Sequence, residues 1–256
     1  MSIDTGSFRW TSASRSHPGR VRQVNEDACL EQSEHGLWAV ADGMGGHTLG
    51  EFASGLAVQS LMDLPAAEDL EQRVSVALDW LQEVNRRLRA EAQRRDVPLV
   101  GTTIAVLLAA GSLCSCLWAG DSRIYLYRAG RLRQLTRDHN HLEAARLRHV
   151  SCSDDTLELP RSNLITRALG AEDALRVDRM TVELLDGDIF LLCTDGLSNE
   201  VSELSIEQAL LPGTCRLACD ALVDLALERE ARDNITAVVV RAEDLSSPDR
   251  TIVRAR

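Results

Sequence analysis

The chain has 256 residues, of which 45% are hydrophobic and 26% are charged, enough for one large domain with a sizeable core. The formal net charge of −11 argues against a nucleic-acid partner, because proteins that bind DNA or RNA usually carry a basic face. No run approaches the roughly 20 apolar residues that span a bilayer, and the first residues do not resemble a signal peptide. The sequence therefore predicts a cytoplasmic protein with no membrane segment.

The seven cysteines also agree with a cytoplasmic protein. Their number is odd and most of them lie in apolar segments, so a disulfide framework is not expected. No pair has the C-x2-C spacing that is typical of structural zinc sites. We expect buried, reduced thiols.

Hydrophobic periodicity predicts both strands and helices. Strands are indicated by short apolar or alternating runs, and helices by apolar residues that recur every three or four positions. In chain order, the patterns predict a strand at 36–41, helices at 48–62 and 68–95, strands at 101–109, 113–119, 123–128 and 187–193, helices at 201–210 and 214–230, and a strand at 235–241.

The turns between these elements indicate the fold class. Gly111-Ser112 and Ala129-Gly130 are typical of hairpins, and strands joined by such short turns are antiparallel. Because helices fall between blocks of strands, the pattern favours an α+β fold with sheets covered by helix layers. We expect one domain over 10–242, a mobile and irregular insertion at 137–165, and a polar tail at 243–256.

Acidic residues beside glycine or polar turn residues are the main chemical signal. There are five of them: Asp27, Asp42, Asp121, Asp195 and Asp233. All except Asp27 directly follow or precede an apolar run that is predicted to be a strand. Strand ends are rigid, and carboxylates that gather there need a cation to offset their repulsion. Oxygen ligands of this kind favour Mg²⁺ or Mn²⁺ over zinc. Two such metals can hold a hydroxide that attacks at neutral pH, which predicts a metal-dependent hydrolase.

The segment that follows Asp42 is rich in glycine. Gly43, Gly45 and Gly46 have no Cβ, so backbone carbonyls there can approach a cation. Two alternatives remain for this segment alone: backbone N–H groups that cradle a phosphate, and a plain turn between a strand and a helix. The segment has neither G-x-x-x-x-G-K-[ST] nor G-x-G-x-x-G, the two glycine spacings that are typical of nucleotide-binding loops.

Arg22 precedes the acidic pair Glu26 and Asp27 by a few residues. A guanidinium beside a metal–carboxylate site suits bidentate binding of phosphate. The alternative is a surface arginine in an ion pair. Arg15 and Arg20 lie near it in the chain but are less favoured, because they lack the fixed offset from the acids.

Taken together, the motifs resemble those of the metal-dependent PPM, or PP2C-type, protein serine/threonine phosphatases, in their bacterial form. The resemblance extends from about residue 10 to 242 and keeps the family's motif order. It is carried by Arg22-Gln-Val-Asn-Glu-Asp27, Asp42-Gly-Met-Gly-Gly-His47 with Gly50-Glu51, Gly101-Thr-Thr103, Gly120-Asp-Ser-Arg123, Leu135-Thr-Arg-Asp-His139, Asn163-Leu-Ile-Thr-Arg-Ala-Leu-Gly170, Thr194-Asp-Gly-Leu197 and Asp233-Asn-Ile-Thr236.

The resemblance implies a four-layer αββα sandwich with a metal site at one end of its two sheets. Asp42 would then bridge two Mn²⁺ or Mg²⁺ ions, with the carbonyl of Gly43 on one and Asp195 and Asp233 on the other. It implies a third ion at Asp121 and Asp195. Arg22 would hold the substrate phosphate, and 137–165 would be the variable flap.

Further roles in the resemblance are less direct. Glu26, Asp27 and Asn234 would act as outer-shell residues, through metal-bound waters. The leaving alkoxide needs a proton, but Met44 stands where animal and plant relatives have a histidine. His47 or a metal-bound water would replace that histidine.

The function implied is hydrolysis of phosphoserine and phosphothreonine by metal-activated water. The partners implied are phosphorylated proteins and a bacterial serine/threonine kinase pathway, which could be one associated with type VI secretion, and the protein is expected to be a monomer. The alternative is a pseudophosphatase that keeps the fold as a binding module. Intact Asp42, Asp195 and Asp233 favour the active enzyme.

Overall fold

The structure is a computed structural model that describes residues 8–46, 48–65, 69–151, 164–211 and 213–246, with 147–151 described by their backbone alone. Two antiparallel sheets form its centre. In spatial order, the first sheet contains β1 (Phe8–His17), β11 (Ile235–Asp244), β10 (Ile189–Cys193), β7 (Arg123–Arg128) and β8 (Arg131–Gln134). The second contains β2 (Asp27–Gln32), β3 (Leu37–Met44), β5 (Ile104–Ala110), β6 (Leu113–Ala119) and β9 (Asp178–Glu183), with β4 (Gly101–Thr102) paired to the end of β3.

Helices cover the outer face of each sheet. The second sheet packs against α1 (Thr48–Leu61) and α2 (Leu70–Arg95). The first sheet packs against α4 (Asp195–Ser198), α5 (Glu203–Leu210) and α6 (Cys215–Leu227). A further helix, α3 (His141–Ser151), follows β8. The four-layer αββα sandwich is therefore confirmed.

Strand β3 shows why the central strands are apolar throughout. Leu37 and Ala39 point toward the helices, whereas Trp38 and Val40 point into the layer between the sheets. Because both faces of β3 are buried, its sequence is a continuous apolar run and not an alternating one. The layer between the sheets also contains Phe190 from the other sheet.

Several local predictions are confirmed. Gly111 lies in the hairpin between β5 and β6, and Ala129 and Gly130 turn between β7 and β8 with positive φ. The helix predicted at 201–210 is α5, and the structure shows that the side chain of Ser202 caps it by accepting a hydrogen bond from the Ser205 N–H. The predicted strand at 101–109 is divided into β4 and β5, and the helix predicted at 214–230 ends at Leu227.

Four strands escaped the sequence prediction: β1, β2, β8 and β9. They are the four edge strands of the two sheets. Edge strands are partly exposed and carry more polar side chains, so they lack the apolar runs by which the central strands were recognised. The chain pattern therefore identified the centre of each sheet and missed its borders.

The prediction of an irregular segment at 137–165 was wrong for its first half. Residues 141–151 form α3, and the side chain of Asn140 accepts a hydrogen bond from the Glu143 N–H in its first turn. Residues 152–163 lie outside the described residues. Strand β11 continues to Asp244, two residues into the predicted tail, and β1 begins two residues before the predicted domain boundary.

The six cysteines within the described ranges are free thiols, and five of them are buried. None of the helices in the described part of the chain has the length and apolar character needed to cross a membrane.

Candidate active site

Acids from both sheets meet at one end of the sandwich. Asp27 begins β2 and lies directly opposite Asp42 of β3 in the antiparallel register. Asp195 follows β10 after one residue, and Asp233 precedes β11 by one residue, so both come from adjacent strands of the other sheet. The charges of Asp27, Asp195 and Asp233 all act on Asp42, which places the four carboxyl groups in one cluster.

Asp121 joins this cluster from the connection between the sheets. The chain leaves β6 in the second sheet and enters β7 in the first sheet through Gly120, which has a φ of 123°. Asp121 is only 4% exposed. Together with Asp195 it lines a cavity of about 120 Å³, which is also lined by Asn140, just before α3, and by Arg146 within α3.

Gly43 brings the end of β3 against the first turns of α1. A Cβ at this position would lie 2.1 Å from the carbonyl oxygen of Gly50 and 2.7 Å from that of Glu26. The Gly43 N–H donates to the Glu26 carbonyl across 3.1 Å. Any larger residue would push the backbone beside Asp42 out of place, so the glycine is required by close packing.

Burial and mutual repulsion disfavour the ionised form of four of these acids: Asp27, Asp42, Asp121 and Asp195. Desolvation is the main cause for each, and it raises the pKa of Asp27 and of Asp121 to about 7. The same cause raises the pKa of Asp42 well above its ordinary range and raises that of Asp195. Without a cation nearby, the cluster would hold protons at neutral pH.

The cluster fits a hard divalent cation. Within the described residues, one buried carboxylate oxygen of each of Asp27, Asp121 and Asp195 has no hydrogen-bond partner. Oxygen atoms of this kind are the ligands that Mg²⁺ and Mn²⁺ prefer. No three acidic, histidine or cysteine groups of the described chain already stand close enough to enclose an ion by themselves. Backbone carbonyls and water would have to complete the coordination, which is common for Mg²⁺.

Arg22 lies at the open side of the cluster. Its Nη2 donates to Asp233 Oδ2 across 3.0 Å, while about half of the side chain is exposed to solvent. This hydrogen bond is the main cause that raises the pKa of Arg22. Arg15 points elsewhere and pairs with Asp220 and Asp224 of α6.

Asn234 fastens the segment that carries Arg22 and Glu26 to the start of β11. Its Oδ1 accepts a hydrogen bond from the Glu26 N–H across 2.7 Å. Its Nδ2 donates to the carbonyl oxygens of Pro18 and Val24, each across 3.0 Å. Both ends of the Asn234 amide thus bond to backbone groups, and from the described residues Oδ1 accepts only one of the two hydrogen bonds it can take. His47, the predicted proton donor, lies outside the described residues.

Four threonines were quoted within the motifs but were given no role by the sequence reasoning. Thr103 Oγ1 accepts a hydrogen bond from the Asp42 N–H across 3.0 Å, and Thr102 Oγ1 donates to the Asp42 carbonyl across 2.9 Å. Thr194 and Thr236 both donate to Asp27. For Thr194 and Thr236 the available signal was their position in the chain, next to Asp195 and close to Asp233. Thr102 and Thr103 were marked only by their place at the start of a predicted strand.

Comparison with known proteins gives consistent matches. The sequence profile of the family described as Protein phosphatase 2C matches residues 15–233. The chain is 36% identical to the serine/threonine phosphatase stp of Listeria monocytogenes over 249 residues, which cover 92% of this chain and 97% of that protein. It is 35% identical to the serine/threonine protein phosphatase PstP of Mycobacterium tuberculosis over 236 residues, which cover 91% of this chain and 45% of that protein.

Solved structures agree with the sequence matches. A structure of PppA, described as a key regulatory component of the T6SS in Pseudomonas aeruginosa, superposes with a TM-score of 0.86 at 43% identity, over 93% of this chain and 99% of that one. The catalytic domain of PstP in complex with two manganese ions superposes with a TM-score of 0.81 at 34% identity, over 93% of this chain and 100% of that one. The fold, the acidic cluster and these matches lead to one conclusion: the chain belongs to the protein phosphatase 2C family.

Proposed function

We propose that this protein is a metal-dependent serine/threonine phosphatase that removes phosphate from phosphorylated proteins. The observation that carries the proposal is the cluster of buried carboxylates contributed by both sheets, in which several oxygens have no partner among the described residues. Relatives of similar length that are named serine/threonine phosphatases support the same activity.

The residues proposed to hold two Mn²⁺ or Mg²⁺ ions are Asp42, the carbonyl of Gly43, Asp195 and Asp233. Asp121 and Asp195 are proposed for a third ion, with Glu26, Asp27 and Asn234 as outer-shell residues. The PstP domain with two manganese ions supports the choice of metal. Bound divalent ions would supply Lewis-acid activation of a water and neutralise charge on the phosphate.

The chain's own residues have two tasks beyond holding ions. Arg22 is proposed to bind the phosphate, because its guanidinium lies at the edge of the cluster and half of its side chain remains accessible. Its hydrogen bond to Asp233 fixes its position before substrate arrives. His47 is proposed as the proton donor to the leaving alkoxide.

The similarity to PppA supports a finer proposal about context. We propose that the phosphatase acts as a monomeric single domain over about 10–242 and opposes a serine/threonine kinase, in a pathway connected with type VI secretion. The segment 137–165 is proposed as a flap that influences which phosphoproteins enter.

The test is hydrolysis of p-nitrophenyl phosphate and of a phosphothreonine peptide by the purified chain, with and without Mn²⁺. We expect turnover with Mn²⁺, none with EDTA, and a loss of at least about a thousandfold in kcat for Asp42→Ala and Asp195→Ala, because the proposed metal ligands are removed. Asp186→Ala, at the opposite end of β10, is the matched control and should keep wild-type turnover. Undiminished turnover in either of the first two variants would contradict the proposal.

A further inference from the structure

A closed ring of hydrogen bonds begins and ends at Asp27. It connects Asn25 and Asp27, at the start of β2, with Ser16 of β1 and with Thr236 of β11, which is more than 200 residues away in the chain. Each link is within hydrogen-bond distance, from 2.6 Å for Thr236 Oγ1 to Asp27 Oδ2 up to 3.3 Å for the Asp27 N–H to Asn25 Oδ1. The ring therefore joins the two sheets beside the acidic cluster.

The direction of every bond in the ring follows from its two ends, a backbone N–H that can only donate and a carboxylate oxygen that accepts. The Asp27 N–H can only donate, so the partner atom of Asn25 is its oxygen, and the amide nitrogen of Asn25 faces Ser16 Oγ. At the other end, the Thr236 hydroxyl donates its only hydrogen to the carboxylate oxygen Asp27 Oδ2. Ser16 Oγ, which accepts from Asn25, is therefore the donor to Thr236 Oγ1, 2.8 Å away.

A second hydroxyl reaches the same oxygen independently. Thr194 Oγ1 accepts the Thr236 N–H across 3.0 Å and donates to Asp27 Oδ2 across 2.9 Å. Thr194 and Thr236 are both fully buried, whereas Ser16 and Asn25 lie at the more exposed end of the ring. Asp27 Oδ2 thus receives two donors that water cannot replace.

The consequence is an asymmetric carboxyl group. Oδ2 serves only as an acceptor, while the other oxygen, Oδ1, is buried without a partner among the described residues. The charges of Asp195 and Asp233 act on this carboxyl group, which places it beside the acidic cluster. The ring cannot relay protons outward, because the amide nitrogen of Asn25 donates but does not accept. Its action is to hold Asp27 in place.

Resting on the proposed function, we propose that Thr194 and Thr236 are positioning residues. They fix the Asp27 carboxyl group so that Oδ1 is the only oxygen it presents to the reaction site. In this role Thr194 and Thr236 do not contact the substrate. Their effect on kcat and on metal binding therefore depends wholly on Asp27.

A double-mutant cycle tests this dependence. Thr236→Val keeps the β-branched shape and the backbone bonds but removes the hydroxyl, so it should lower kcat about tenfold with KM for a phosphothreonine peptide unchanged. Thr236→Ser keeps the hydroxyl and should recover most of kcat. When Asp27→Ala is already present, Thr236→Val should have no further effect on kcat.

Calorimetric Mn²⁺ titration of the four proteins of the cycle, which are wild type, Thr236→Val, Asp27→Ala and the double variant, gives a readout that does not use turnover. Thr236→Val should weaken Mn²⁺ binding by about tenfold in the wild-type background and leave it unchanged in the Asp27→Ala background. If wild type fails to hydrolyse phosphopeptides, the proposed function fails, but this titration still tests the ring.

Thr136→Val is the matched control, because Thr136 is also buried and its hydroxyl accepts a backbone N–H from Ile124. It should lower the melting temperature as much as Thr236→Val does and leave kcat and Mn²⁺ affinity near wild type. The proposal would be overturned by equal losses from Thr236→Val in both backgrounds, or by a Thr236→Ser protein as slow as Thr236→Val.

Discussion

The guanidinium of Arg22 shows how one residue can connect the acidic cluster to a substrate. It donates to Asp233, yet half of its side chain is open to solvent. A charge-assisted contact with Asp233 orders the side chain, which reduces the entropy lost when a phosphate binds. Arg22 can therefore form an ion pair with Asp233 and also bind a phosphate, so the two interpretations of this residue are compatible.

For Arg22→Ala we expect KM for a phosphothreonine peptide to rise about tenfold, with a smaller change in kcat, because an interaction with bound phosphate is lost before and during the reaction. Steady-state kinetics at saturating Mn²⁺ measure this. Arg15→Ala is the control, since Arg15 pairs with acids of α6 and should keep the wild-type KM. An unchanged KM in Arg22→Ala would remove the residue from the phosphate site.

At the scale of elements, helix α2 supports the site indirectly, because it holds the loop that contains Gly170 and Glu172. Asn85 is fully buried in α2; its Oδ1 accepts the Gly170 N–H across 2.7 Å, and its Nδ2 donates to the Glu172 carbonyl. Gly170 has a φ of 88° and packs so tightly that a Cβ would lie 2.1 Å from the Val100 carbonyl. The helix thereby holds the loop against β4, which pairs with the end of β3.

We expect Asn85→Ala to lower the free energy of unfolding by about 1–3 kcal/mol, because it leaves the buried Gly170 N–H without an acceptor. Urea denaturation of the metal-free protein measures the loss. Gln82→Ala, on the same helix and bonded to the same loop at a longer and more exposed contact, should change stability by less than about 0.5 kcal/mol. Equal losses from the two substitutions would show that burial of the hydrogen bond does not determine its contribution to the free energy of unfolding.

At the scale of the whole molecule, the sandwich assembles like charges where its two sheets meet. Burial raises the pKa of Asp121 and of Asp27 from an ordinary value of 3.8 to about 7. The folded metal-free protein therefore binds protons that the unfolded chain has already lost. Its stability falls as pH rises through about 7, on the order of 1 kcal/mol for Asp121 between pH 6.5 and 8.

Thermal unfolding in EDTA should thus give a lower melting temperature at pH 8 than at pH 6.5. Asp178, whose pKa is lowered, acts in the opposite sense only at lower pH. His139, whose pKa is lowered from 6.5, opposes the fall in the lower part of this window, where the unfolded chain's histidine loses its proton, but the two aspartates with raised pKa outweigh this single group. Saturating Mn²⁺ should shrink or reverse the difference, because the ion replaces the protons. Asp121→Asn should reduce the pH dependence in EDTA. If the metal-free protein were more stable at pH 8 than at pH 6.5, the raised pKa values of Asp27 and Asp121 would be refuted.

The sequence by itself determined the central strands, the principal helices and the identity of the acids. Those features are local: a strand buried on both faces is a continuous apolar run, and a turn after it favours Asp and Gly. The motif order was enough to indicate the family and to name Asp42, Asp121, Asp195 and Asp233 as metal-ligand candidates.

Only the tertiary structure decided the edge strands, helix α3 and the partners of the acids. The bond from Thr236 to Asp27 joins residues 209 positions apart, and its existence depends on how β2 meets β11 across the two sheets. Such contacts leave no periodic trace in the chain, because each participant is an ordinary polar residue at the end of a strand. Their chemistry arises from packing, which places both hydroxyls on one oxygen of one carboxylate.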